Sequence, residues 1–120
     1  MISSRAIPLS IHGAIEVFAA PAIMAAPFFL GFSPLATAIS VAVGVLLLTL
    51  ALQLEGPRRS VPLSAHAGFD YALAIVAISA GFAIAIADGA WAESAFLVGI
   101  GAAQVALTAS TRFSVAHGAY

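Results

Sequence analysis

The chain has 120 residues, of which 62% are hydrophobic and only 8% charged, with a mean hydropathy of +1.12. A soluble domain carries roughly a quarter of its residues as charges, so this composition places the chain in a bilayer. A net charge of −1 with four cations excludes a basic nucleic-acid surface, and the absence of cysteine excludes disulfides, thiolate metal sites and cysteine nucleophiles.

Met1–Ile7 is a short lead. Pro8 suits the first turn of a helix, where its missing N–H is not needed, and Ser10 offers that turn a hydroxyl. A spanning helix needs about 20 mostly apolar residues, and the first such stretch is Ile11–Phe32. Pro21 and Pro27 inside it predict a kink or an early end. Gly31-Phe32-Ser33-Pro34 is an outer turn. The second stretch, Leu35–Gln53, places Ala38, Ala42, Val45 and Thr49 along one face.

Leu54–Ser60 is a basic loop. The third stretch, Ala65–Ala87, aligns His66, Asp70, Ala74, Ala77 and Gly81, a face of polar and small residues that lets helix backbones approach. Asp88–Gly89 is the second outer turn, and Trp91 sits where an interfacial aromatic belongs. The fourth stretch, Trp91–Ser110, puts Leu97, Gly101, Gln104 and Thr108 on one face. No structure is predicted for the tail Phe113–Tyr120, whose His117 is expected to be solvated.

Arg5-x-x-Pro8-Leu9-Ser10-x-His12-x-x-x-Glu16 recurs as Arg59-x-x-Pro62-Leu63-Ser64-x-His66-x-x-x-Asp70 at a constant offset of 54. The expected fold class is therefore all-α: an integral membrane four-helix bundle in one transmembrane domain over residues 1–120. It is built from two tandem two-helix repeats, residues 5–54 and 59–112, related by a pseudo-two-fold axis along the membrane normal. In this four-span arrangement Arg5, Arg58, Arg59 and Arg112 all fall on one side. The positive-inside rule makes that side cytoplasmic, with both termini inside a bacterial inner membrane. His12 and Glu16 within the first stretch, and the duplication itself, argue against a cleaved signal peptide.

Glu16 lies 11 residues beyond Arg5, and Asp70 lies 11 beyond Arg59, roughly 16 Å along a helix. Thr49 and Gln104 reach similar depth from the other ends of their helices. Matching Gly44 with Gly99 makes them equivalent, so the expected layer is Glu16, Asp70, Thr49 and Gln104, with His12 and His66 one turn nearer the cytoplasm on the faces of their carboxylates. An ionised carboxylate in hydrocarbon costs at least about 2.5 kcal/mol, so two of them demand an explanation.

One explanation is a structural layer that fixes helix registry through internal bonds. A second is a ligand site: a divalent metal held by His12, His66, Glu16 and Asp70, or a haem ligated by the two histidines. A third is a proton or ion path. His-Glu-x-x-His motifs, phosphate loops and nucleophile elbows are all missing, which points away from an enzyme.

Pro8-Leu9-Ser10-x-His12-x-x-x-Glu16 and Ala26-Pro27-Phe28-Phe29-Leu30-Gly31-Phe32 resemble small actinobacterial four-span membrane proteins of unknown function. The second motif, with Val43-Gly44-Val45, is also similar to SPW-repeat membrane proteins, which are duplicated helix pairs. In the second copy the motif reads Ala80-Gly81-Phe82. The resemblance implies an integral membrane protein and supplies no activity.

The expected role is structural or accessory, without resident cofactor or catalysis. Metal, haem or ion handling is the alternative. The expected partners are membrane lipid, further copies of the chain or a larger membrane assembly, and no nucleic acid.

Overall fold

The computed structural model describes residues 6–55 and 62–113. They form four helices: α1 (Leu9–Leu30), α2 (Pro34–Glu55), α3 (Leu63–Asp88) and α4 (Trp91–Ala109). Each is long and apolar enough to cross a membrane. α1 pairs with α2 and α3 with α4 as hairpins, which pack on each other mainly through α2 and α3.

Pro8 and Pro62 precede their helices as N-caps with extended backbone (φ −67°, ψ 154° and φ −59°, ψ 151°), one position earlier than the first helical turn expected from sequence. The Pro8 carbonyl accepts from the backbone N–H of Ile11 and of His12, and the Pro62 carbonyl from that of His66. Neither helix has a side-chain cap bond, so Ser10 does not play the expected part. At the other ends, Gly31 (φ 69°) and Gly89 (φ 62°) stop α1 and α3 in the left-handed conformation that glycine adopts without strain.

Pro21 and Pro27 do not end α1, which runs unbroken to Leu30. A proline at position 27 cannot donate to the carbonyl four residues back, that of Ile23. The Ser40 hydroxyl on α2 donates to the Ile23 oxygen instead, at 2.8 Å. Inside a bilayer such a side-chain donor is what makes a mid-helix proline tolerable.

The buried stripes carry small residues where backbones meet. A side chain on Gly44 would strike Met24 and come within 3.0 Å of the Ala20 carbonyl, and one on Gly81 would come within 3.0 Å of the Ser94 carbonyl. The core is then filled by Ala20, Val43, Leu47, Leu73 and Ala77, continuing to Ala36, Ile84 and Leu97. The reverse faces are apolar and open: Phe29 is 89% exposed, Ile86 85% and Phe18 80%. Hydrophobic side chains at that exposure are stable against lipid rather than water.

The sequence expectation for α2 is inverted. Ala38, Ala42, Val45 and Thr49 are all exposed, and the packed face is Ala36, Ser40, Val43, Leu47 and Ala51.

Candidate functional site: a buried histidine–carboxylate cluster

The two long-range sequence copies place their histidine and carboxylate identically: fourth and eighth residues of α1 (His12, Glu16) and of α3 (His66, Asp70). Each pair is one helical turn apart on a single face. All four residues are at most 1% exposed, although the histidines begin only about 5 Å, and the carboxylates about 10 Å, along helices that span the membrane. The cluster therefore sits toward the helix starts of α1 and α3, the arginine-flanked end of the bundle.

His12 Nε2 lies 2.9 Å from Asp70 Oδ2 and 3.0 Å from Glu16 Oε2. His66 Nε2 lies 3.1 Å from Asp70 Oδ2 and 3.6 Å from Glu16 Oε1. Both ring nitrogens and both carboxylates thus converge on one point, with one ligand atom from each residue inside a 4.8 Å span.

The surroundings fix one histidine. The Thr111 hydroxyl donates to the Leu107 carbonyl at 2.6 Å, so its oxygen is left to accept, and His12 Nδ1 lies 2.8 Å from it. His12 Nδ1 must carry a proton, which directs Nε2 at the carboxylates. Gln104 Nε2 donates to Glu16 Oε2 at 2.8 Å.

His66 has no such support. Neither of its nitrogens has a hydrogen-bond partner, although Nε2 approaches Asp70 closely, and Glu16 Oε1, Asp70 Oδ1 and Thr108 Oγ1 are likewise buried without partners. Over both rings lies Phe113, with centroids 5.0 Å from that of His12 and 6.0 Å from that of His66. Phe113 belongs to a strap that leaves α4 and runs beside the start of α1. Ile7 N–H donates to Ser110 O and Arg112 N–H to Ile7 O, both at 2.9 Å.

Of the six residues expected in the polar layer, five meet: His12, Glu16, His66, Asp70 and Gln104. Thr49 does not. It is exposed, and its hydroxyl donates to the Val45 carbonyl one turn back at 2.8 Å. The glycine of α4 that meets α3 as Gly44 meets α1 is Gly101, where a Cβ would fall 2.7 Å from the Ala74 carbonyl, whereas Gly99 faces open space. Matching Gly44 to Gly99 is thus two residues out of step, about 200° around a helix, and turns Thr49 to the lipid side. Leu47 takes the inward place, so the support from Gln104 is one-sided.

Thr111 and Phe113 were not anticipated. Thr111 extends the α4 face of Gln104 and Thr108 by a further three residues, a signal hidden by its position next to Arg112. Phe113 reaches the cluster only through the strap, which no periodicity reveals. His117, Arg5, Arg58 and Arg59 lie outside the described residues. Set against protein-family models, curated proteins and solved structures, the chain matches none.

Proposed function

We propose that this is a multi-pass inner-membrane protein, made of two tandem helix pairs, whose buried cluster coordinates one divalent transition-metal ion through His12, Glu16, His66 and Asp70. The observation that carries the proposal is the convergence of one ligand atom from each of four buried residues, among which His12 Nε2 bonds Asp70 Oδ2 at 2.9 Å whereas His66 Nε2, Glu16 Oε1 and Asp70 Oδ1 have no hydrogen-bond partner. In a layer serving registry alone, buried polar atoms are expected to be paired with one another. Here His66 Nε2 lies 3.1 Å from Asp70 Oδ2, at ion-pair distance but outside hydrogen-bond geometry, while the same oxygen is bonded to His12 Nε2; a cation shared by the two histidines and the carboxylates would engage all of them.

Charge is compatible with the same reading: the two buried carboxylates can be balanced by two protonated histidines or, with the histidines neutral, by one dication. Ligands about 2.0–2.1 Å from a tetrahedral ion are roughly 3.3 Å from each other; the histidine–carboxylate separations, taken over both Glu16 oxygens, run from 2.9 to 3.6 Å, and one atom from each residue falls within a 4.8 Å span that closes around an ion by small side-chain rotations. Imidazole with carboxylate suits zinc, manganese or iron rather than soft or alkali ions. The bonds from His12 Nδ1 to Thr111 and from Gln104 to Glu16 are the outer support that metal ligands usually have. A haem between the two histidines does not fit, because the Glu16 and Asp70 oxygens occupy the space its ring would need.

The role is one of binding and structure, with no catalytic step assigned, in a protein surrounded by lipid. The arginine-flanked end, which holds the cluster, faces the cytoplasm by the charge rule. Elemental analysis after loading the detergent-purified protein with Zn²⁺ and removing excess ion tests the proposal. About one ion per chain is expected, with loss in His12→Ala and in Asp70→Asn; a well-folded protein that retains no ion refutes it.

A further inference from the structure

Resting on the metal reading above, we infer that the bound ion exchanges with one face of the membrane only: it enters and leaves at the arginine-flanked end, beneath Phe113, and does not cross to the other side. The protein then holds or senses metal for that compartment and does not conduct it.

The outward direction is closed by packing. From Glu16 to the end of α1 at Leu30 is 14 residues, about 21 Å of helix. Along that length the interior is filled by Ala20, Val43, Leu47, Leu73 and Ala77 and then by Ala36, Ile84 and Leu97. Within each hairpin the paired helices approach closely at Gly44, Gly81 and Gly101, where an added Cβ would fall within 3.0 Å of a carbonyl on the facing helix. The gap between the hairpins is lined by Leu47, Leu73, Ala74, Ala77 and their neighbours, with Gln104 its one polar wall. Of the buried hydroxyls farther out, Ser40 is spent on the Ile23 carbonyl and Ser94 stands alone on α4. Among the described residues no carboxylate or imidazole lies along that buried length, and uncompensated burial of charge is prohibitive.

Toward the arginine-flanked end, the group found over the two rings among the described residues is Phe113. It is half-buried and sits just beyond Arg112, which is exposed. The strap that carries it is tied to α1 by two backbone hydrogen bonds with Ile7. Beneath it the ligands are unequal: His12 is held from behind by Thr111, whereas His66 Nδ1 has no partner. Among the described residues Phe113 is the group to be displaced for exchange, and His66, held through Nε2 alone, is the less supported of the two imidazoles. Phe113 is thus a positioning residue for ligand exchange and touches no ion.

Sidedness and gating are read together. The protein is reconstituted with bound Zn²⁺ in phosphatidylethanolamine–phosphatidylglycerol vesicles, and metal loss to external EDTA, which does not cross the bilayer, is followed over time. The chain contains no cysteine, so an Asp88→Cys variant labelled by an impermeant maleimide reports which molecules expose the opposite face. Zinc is expected to be lost only from molecules whose Asp88→Cys is shielded. Phe113→Ala is expected to speed that loss about tenfold, the scale of one or two aromatic contacts, with unchanged zinc stoichiometry at saturation. Phe113→Leu should give an intermediate rate and serves if the alanine variant does not fold. Equal loss from both faces, or an unchanged rate in folded Phe113 variants that hold zinc, overturns the inference while leaving the metal site intact. Failure of the parent protein to retain zinc overturns both.

Discussion

Replacing Thr111 by valine tests the site at its best-defined support. Valine keeps the branched shape and deletes one oxygen, and that oxygen serves two groups: it accepts from His12 Nδ1 at 2.8 Å and donates to the Leu107 carbonyl at 2.6 Å. The second bond is needed because the Thr111 N–H turns to Thr108 O, at 3.2 Å, instead of to Leu107. His12 is 0% exposed, as is Thr111, so water cannot replace the lost acceptor. An orphaned buried donor costs about 1–3 kcal/mol, and loss of an outer-shell partner lowers metal affinity about 10–100-fold. Thr111→Ser keeps both bonds and serves as the control. Unfolding midpoints in detergent, measured without metal, should fall for Thr111→Val and hold for Thr111→Ser. Competition with a zinc chelator should show the affinity loss. If valine and serine behave alike in both assays, the assignment of the Nδ1 proton and its supporting role is wrong.

Ser40→Ala should cost about 0.5–1.5 kcal/mol by freeing the Ile23 carbonyl, and because Pro27→Ala restores a backbone donor to that carbonyl, the two changes together should cost less than their sum in a double-mutant cycle. Gly101→Ala forces a Cβ to within 2.7 Å of the Ala74 carbonyl whereas at Gly99 nothing lies within 4 Å; the first should destabilise by about 1–3 kcal/mol and the second should be neutral or mildly stabilising in thermal denaturation. Gln104→Leu removes the donor to Glu16 Oε2 and should weaken zinc binding, while Thr49→Val, on the lipid side, should leave binding and stability unchanged; a comparable loss in both would return Thr49 to the cluster.

The spans were legible because burial in lipid demands long apolar runs: Leu35–Gln53 lies wholly within α2 (Pro34–Glu55), and Trp91–Ser110 differs from α4 by one residue. The four cluster residues were legible for a related reason, since a histidine and a carboxylate repeated at helical spacing in an apolar segment have few other places to go. What failed was rotation. Axial depth is nearly insensitive to a slip of two residues, about 3 Å, but facing direction changes by about 200°, so Thr49 was given the right height and the wrong side. Only the close approach of Gly44 and Gly101 to neighbouring carbonyls separates the two registers, and that contact belongs to the packed hairpins. Pro27 illustrates the same limit: its missing N–H predicts a kink or an early end from the chain alone, the helix runs on to Leu30, and the Ser40 hydroxyl that takes up the freed Ile23 carbonyl comes from another helix.

The cluster also bears on how the bundle assembles. Each hairpin contributes one histidine and one carboxylate, and His12 reaches Asp70 across the hairpins at 2.9 Å although α1 and α3 are not closely packed along their lengths. A hairpin inserted alone would hold a buried ionisable pair without the two groups supplied by its partner, at the cost that polar side chains incur in hydrocarbon. Apolar packing between helices adds little drive in lipid, where tails are as apolar as leucine. Docking of the two hairpins should then depend on the cluster more than on the interface between α2 and α3, and a metal ion bound by both halves would tighten it by mass action. Exchange of the ion at one end, without separation of the helices below, is compatible with that arrangement because the glycine contacts lie within hairpins and need not open.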